Sequence, residues 1–153
     1  MSMGQLPIAL KRLTRNDVSW LQPKAKSHQC AINLPTKSFN PMFQDLLNQE
    51  GNVLRDKFMV HWYQTDGTKL THSESEIAYY HSKAELRLLQ VPRTNMEDVL
   101  KELHLLLFRR EGRSLHITHL EPNCEHLVSE LGRHDLVDIL PKLSTKPQDR
   151  EHS

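Results

Sequence analysis

The spacing of apolar residues separates alternating stretches from helical ones. Leu6 to Leu13 alternates and predicts a strand ending in Lys11 and Arg12. His28 to Leu34 alternates too, with Cys30, Ile32 and Leu34 on one side, and Pro35 stops it. Phe58 to Gln64 sets Phe58, Val60 and Trp62 against Met59, His61 and Tyr63, a strand of good β formers. Ile77 to His81 and Glu85 to Val91 read as two strands around a short basic connection. Asp66-Gly67 and Glu111-Gly112 are turn signals, the second leading into a strand from Ser114 to Leu120. Val99 to Arg109 fits helix or buried strand equally, because Leu103, Leu105, Leu106 and Leu107 suit both.

Helical spacing is confined to short pieces. Phe39, Met42, Phe43, Leu46 and Leu47 lie three or four apart and predict a helix over Ser38 to Gln49. Ser38 or Asn40 would cap it, Pro41 suits its first turn, and Gly51 follows its end. Asn123 to Leu131, stopped by Gly132, and the run through Leu136, Ile139 and Leu140 predict two closing helices. Thr14 to Ser27 is polar and basic and contains Pro23, so it reads as an exposed loop with room for one helical turn after Thr14. Lys142 to Ser153 is a polar tail or the start of a linker, which leaves residues 1–141 as the domain. Strands at short intervals with few short helices imply a mainly β sandwich or barrel. With one helix between the early strands, a parallel α/β fold is not expected.

Composition narrows the class. The 153 residues suit one domain, and 37% hydrophobic with 25% charged residues suits a soluble globule. No apolar run approaches the ~20 residues of a membrane helix, so no membrane association is expected. The first ten residues lack the basic-then-apolar pattern of a secretion signal. Cys30 and Cys124 are the only cysteines, which points to a reducing, cytoplasmic setting. Net charge is +1, but it is unevenly spread. Residues 1–29 carry Lys11, Arg12, Arg15, Lys24 and Lys26 against Asp17 alone, and residues 81–93 carry Lys83, Arg87 and Arg93 against Glu85. The rest of the chain is slightly acidic, so the two basic segments form a local electrostatic footprint.

Several catalytic patterns begin and fail. His81-Ser82-Lys83 opens a phosphodiesterase signature that needs a His nucleophile, a phosphate-holding Lys and an Asp. Leu88 fills the Asp position and no second copy follows, so a small metal-independent phosphodiesterase using His81 and Lys83 stays an alternative only. His116-Ile117-Thr118 is half of a two-histidine phosphoesterase site. His116, His119, Cys124 and His126 could gather zinc, but strand alternation puts His116 and His119 on opposite faces. No paired carboxylates with a nearby lysine, glycine-rich loop or nucleophile elbow occurs. No catalytic residue, metal or cofactor is therefore expected. The leucine-rich stretch from Val99 to Phe108 could serve a protein-interaction module, although core packing explains it as well. What remains is two polar, basic arms, Arg12 to Gln29 and His81 to Arg87, on a β scaffold. Such arms can address base edges and hold phosphates.

At those segments the chain resembles a known family. Leu10-Lys-Arg-Leu-Thr-Arg-Asn-Asp17, followed by Ser27-His-Gln-Cys-Ala-Ile-Asn-Leu-Pro35, is similar to the N-terminal effector domain of the EcoRII restriction endonuclease. Ser73-Glu-Ser-Glu-Ile-Ala-Tyr-Tyr-His-Ser-Lys83 resembles its later strand, and Ser-Lys-Ala-Glu-Leu-Arg-Leu is closer to the DNA-binding domain of BfiI and NgoAVII type enzymes. The similarity spans roughly residues 6–140. It implies a pseudobarrel, an open twisted β-barrel shared with the plant B3 transcription-factor domain, whose two arms grip the major groove of double-stranded DNA at a short specific target. It places Lys11, Arg12, Arg15, Asn16, Asp17, His28 and Gln29 in or beside the N-terminal arm, where Lys24 and Lys26 would hold phosphates. It places His81, Ser82, Lys83, Glu85 and Arg87 in the C-terminal arm, with Glu85 either accepting from cytosine or orienting Arg87. It also implies a prokaryotic cytoplasm and a partner nuclease domain. The chain departs from EcoRII in a shorter, less basic second arm, and in Ser-Trp-Leu-Gln-Pro (19–23) where EcoRII is glycine-rich.

Overall fold

The computed structural model describes residues 8–21, 30–93, 96 and 99–122. Its strands are β1 (Ile8–Arg12), β2 (Ile32–Leu34), β3 (Val53–Tyr63), β4 (Lys69–Tyr80), β5 (Glu85–Leu89), β6 (Leu105–Glu111) and β7 (Ser114–Leu120). They form one sheet in the order β1-β6-β7-β3-β4-β5-β2. Every pairing is antiparallel except β3 with β7. The sheet curls into a nearly closed, mainly β pseudobarrel, with β1 and β2 as its two edges. Among the described residues no helix is long and apolar enough to cross a membrane.

Alternation builds the interior. β3 turns Leu54, Phe58, Val60 and Trp62 inward, and β5 adds Leu86 and Leu88. A helical run caps this core: α2 (Thr36–Phe39), a 3-10 turn (Asn40–Phe43) and α3 (Gln44–Leu47). Its Phe39 meets Phe108 edge-to-face at 4.9 Å, and its Phe43 meets Phe58 at 5.6 Å. Arg110 ties the run to β6, donating to both carboxylate oxygens of Asp45 (2.8 and 2.7 Å) and to the Met42 carbonyl (2.8 Å). Those bonds hold the Asp45 carboxyl down at about 2.

Several elements differ from the pattern's expectation: β3 begins at Val53 rather than Phe58, and β2 only at Ile32. The single helix over Ser38 to Gln49 is a broken run beginning at Thr36, because Pro41 has no N–H for the α-helical bond and the backbone tightens there to 3-10 geometry. Neither Ser38 nor Asn40 caps it; Pro35 stands at the N-cap, with no side-chain bond. β4 starts at Lys69, well before Ile77, because its inward positions Thr71, Ser73 and Ser75 are polar and hide the alternation. Ser75 is fully buried and donates to the Gln90 carbonyl (3.2 Å). The ambiguous stretch resolves to strand β6, whose Leu105 to Phe108 are buried on both faces, which removes the polar half of the pattern. The closing helices and the tail, residues 123–153, lie outside the described residues.

Candidate nucleic-acid interface

The first arm is rooted at the gap between the edge strands. After β1, the Leu13 N–H donates to the His104 carbonyl and the Leu103 N–H donates to the Leu13 carbonyl, both at 2.8 Å. Thr14 then caps the short helix α1 (Arg15–Val18) in a capping box with Asp17. The Asp17 carboxylate does more than cap. It accepts from the Thr14 N–H and hydroxyl (both 2.8 Å), from the Lys11 ammonium of β1 (2.9 Å) and from the Asn33 N–H of β2 (3.0 Å). One carboxylate thus joins the two edges of the sheet, and it satisfies a backbone donor that β2 could not pair with a further strand. Trp20, in the 3-10 turn Ser19–Leu21, adds a second stitch: its indole donates to the Ala31 carbonyl (3.1 Å), and the Trp20 carbonyl accepts from Arg93 (2.6 Å).

The second arm is the hairpin of β4 and β5. His81 to Ala84 form its exposed turn, with Ala84 at a φ of 52°. The His81 N–H donates to the Asn52 carbonyl (3.0 Å) and its ring meets Tyr79 edge-to-face. Along β5, Leu86 and Leu88 point inward, so Glu85 and Arg87 point outward. Arg87 donates through Nε to Glu85 (3.0 Å), makes a second bond to the same oxygen, and lies over the Tyr80 ring at 5.0 Å.

The two arms share one groove of about 320 Å³, lined by Asn16, Asp17, Ser19, Trp20, Ala31, Asn33, Glu85 and Arg87. Of the residues expected from sequence, Asn16, Asp17, Glu85 and Arg87 therefore come together. Arg15, His81, Ser82 and Lys83 are exposed, Arg15 beside the groove on α1 and the other three on the second arm's turn. Arg12 donates to the Leu103 carbonyl (2.9 Å). Lys11 and Asp17 are buried and committed to each other, with side-chain exposures of 7% and 3%. Lys24, Lys26, His28 and Gln29 lie outside the described residues. Ser19, Trp20 and Asn33 were not expected. Asn33 was findable, because it stands between the inward Ile32 and Leu34 and must face out.

Apart from His81, on the second arm's turn, the described histidines lie outside this groove. His116 and His119 are on opposite faces of β7, as alternation requires. His116 stands in one row with His61 and His72 across three strands, stacked on His61 at 4.9 Å. His119 is buried and shares a 2.7 Å nitrogen–nitrogen hydrogen bond with His104. Burial, helped by the neighbouring His104 and Lys101, pushes the His119 imidazole down to about 4. Among the described residues no three metal-ligating side chains gather; Cys124 and His126 lie outside them. No protein-family model matches the chain, and no curated protein matches it either.

Proposed function

We propose that this chain binds a short specific sequence in double-stranded DNA, laying its two arms in one major groove. In this reading it is the target-recognition or effector domain of a restriction endonuclease acting in a prokaryotic cytoplasm, and cleavage belongs to a separate nuclease domain. The observation that carries the reading is the shared groove, where Asn16 and Ser19 of one arm face Glu85 and Arg87 of the other. The chemistry suits base edges. The Asn16 and Asn33 amides each donate and accept, as adenine requires, and a guanidinium such as Arg87 suits the two acceptors of guanine. Glu85 offers an acceptor for the cytosine amino group and also holds the Arg87 plane in one orientation. Exposed Arg15 and Lys83 flank these groups as phosphate-holding cations. The test is selection from a randomised duplex pool by gel shift. One short sequence should be enriched, and its preference over random DNA should persist as salt rises. Failure to enrich any sequence, with affinity lost at moderate salt, would refute the reading.

A further inference from the structure

The groove does not end at Arg87. Strand register puts Asn33 opposite Arg87, Arg87 opposite Ala78, and Ala78 opposite Arg55. Residues directly paired across a sheet share a face, so these four form one row across β2, β5, β4 and β3. The row faces away from the hydrophobic core: its neighbours Ile32, Leu88 and Ile77 are the residues that point inward. Strands lie about 4.8 Å apart, so Arg55 stands roughly 10 Å from Arg87 along the row. Between the two arginines stands Ala78, which is fully buried, so the long side chains around it close over its methyl and the row presents Arg87 and Arg55 at its surface.

Arg55 repeats the arrangement of Arg87. Each guanidinium is steadied by one carboxylate on the same face: Glu85 for Arg87, and Glu76 for Arg55 at 3.2 Å. The Arg55 side chain is 53% exposed, while its Glu76 partner is only 16% exposed. Arg55 uses one nitrogen on Glu76 in that pair and turns the rest of its donor fork toward solvent. A major groove is about 12 Å wide, so a duplex whose bases lie against Arg87 carries its bordering phosphates about as far away as Arg55 stands.

We propose that the DNA-binding surface extends beyond both arms along this row, and that Arg55 holds a backbone phosphate at its far end. This rests on the DNA-binding reading above. Arg55 touches no base in that position, so it contributes affinity and register without sequence preference.

The test uses the full chain, the duplex enriched from the randomised pool, and a scrambled duplex of equal length and composition. Both are titrated at several salt concentrations against wild type, Arg55→Ala, Glu76→Gln and Arg87→Ala, with thermal melting as the folding control. Arg55→Ala should weaken both duplexes several-fold and equally, and should lower the salt slope by about 0.9. Glu76→Gln should tighten both, because it removes the competing carboxylate. Unchanged binding by Arg55→Ala, while Arg87→Ala relaxes sequence preference, overturns the extension and leaves the DNA-binding reading standing. Equal weakening by Arg55→Ala and Glu76→Gln also overturns it, since the pair would then act only by bracing the sheet. Wild-type protein that prefers neither duplex removes the reading itself.

Discussion

Asp17 stands where the first arm and barrel closure compete for one side chain, and its replacement separates them. Asp17→Ala removes the partner of the Lys11 ammonium, which is 7% exposed and 2.9 Å from the carboxylate. Stranding one member of a buried pair costs about 3–5 kcal/mol. The reciprocal half of the capping box, the Asp17 carboxylate accepting from the Thr14 N–H, is lost as well, worth about 1 kcal/mol. These terms overlap and do not add fully, so the expected loss is about 4 kcal/mol. For a chain of this size that is a fall in Tm of roughly 8–16 °C. Urea unfolding with linear extrapolation measures the loss directly. The double variant Lys11→Met with Asp17→Asn removes both charges of the pair and keeps an oxygen for the Asn33 N–H, while the amide nitrogen can donate to the Thr14 hydroxyl. It should recover at least half of the lost stability. A loss below about 1 kcal/mol for Asp17→Ala, far under the cost of a stranded buried charge, would refute the argument, the more so if sequence preference disappeared at the same time.

Other outcomes follow from the same structure. The His119 imidazole titrates near 4 when folded and near 6.5 when unfolded, so the unfolded chain binds the extra proton. Its stabilisation is complete above about pH 6.5 and falls by about 3 kcal/mol as pH drops to about 4. His119→Gln should flatten that part of a stability–pH curve, and an unchanged slope would contradict the assignment. The carboxyl of Asp45 shifts stability in a separate, lower window between 3.8 and about 2. Arg87→Ala should relax preference at one base position at a cost of about 1–3 kcal/mol, seen in competition gel shifts; equal losses on specific and scrambled DNA would remove it from the base-reading residues. Phe39→Ala empties a fully buried site against Phe108 and should cost about 3–5 kcal/mol in urea unfolding, a loss under about 1 kcal/mol showing that the site collapses.

Much of the fold could be read from the sequence wherever one face of an element is apolar and the other polar. β7 occupies the expected Ser114–Leu120, and Phe58, Val60 and Trp62 point inward as the alternation requires. Legibility failed where burial and polarity disagree. Ser73 and Ser75 face inward on β4, and Leu105 and Leu107 are buried on the outward face of β6, so neither strand shows period two along its length. The candidate site divides in the same way. Glu85 and Arg87 follow from alternation along β5. Asp17 enters the first arm by its position in the resemblance and does line the groove, but its carboxylate is buried. Its burial depends on Asn33 of another strand, and no local pattern in the first arm carries that contact. The Thr14–Asp17 spacing did contain the capping box, which signals a structural duty for the carboxylate.

The edge strands meet their partners late. Ile8 to Arg12 pair with a strand that begins only at Leu105, and β2 waits for β5. A chain emerging from the ribosome amino end first therefore exposes Ile8 to Arg12 with unmatched backbone groups until β6 has been made. Closing so long a loop is slow, because its entropy is spent before any contact compensates. The groove inherits this timing. Asn16 is carried in behind β1 and Arg87 is set by β5, and the two arms meet where Asp17 reaches the Asn33 N–H. A chain stopped before β6 would hold every groove residue in its sequence and yet leave β1, the root of the first arm, without the strand it pairs with.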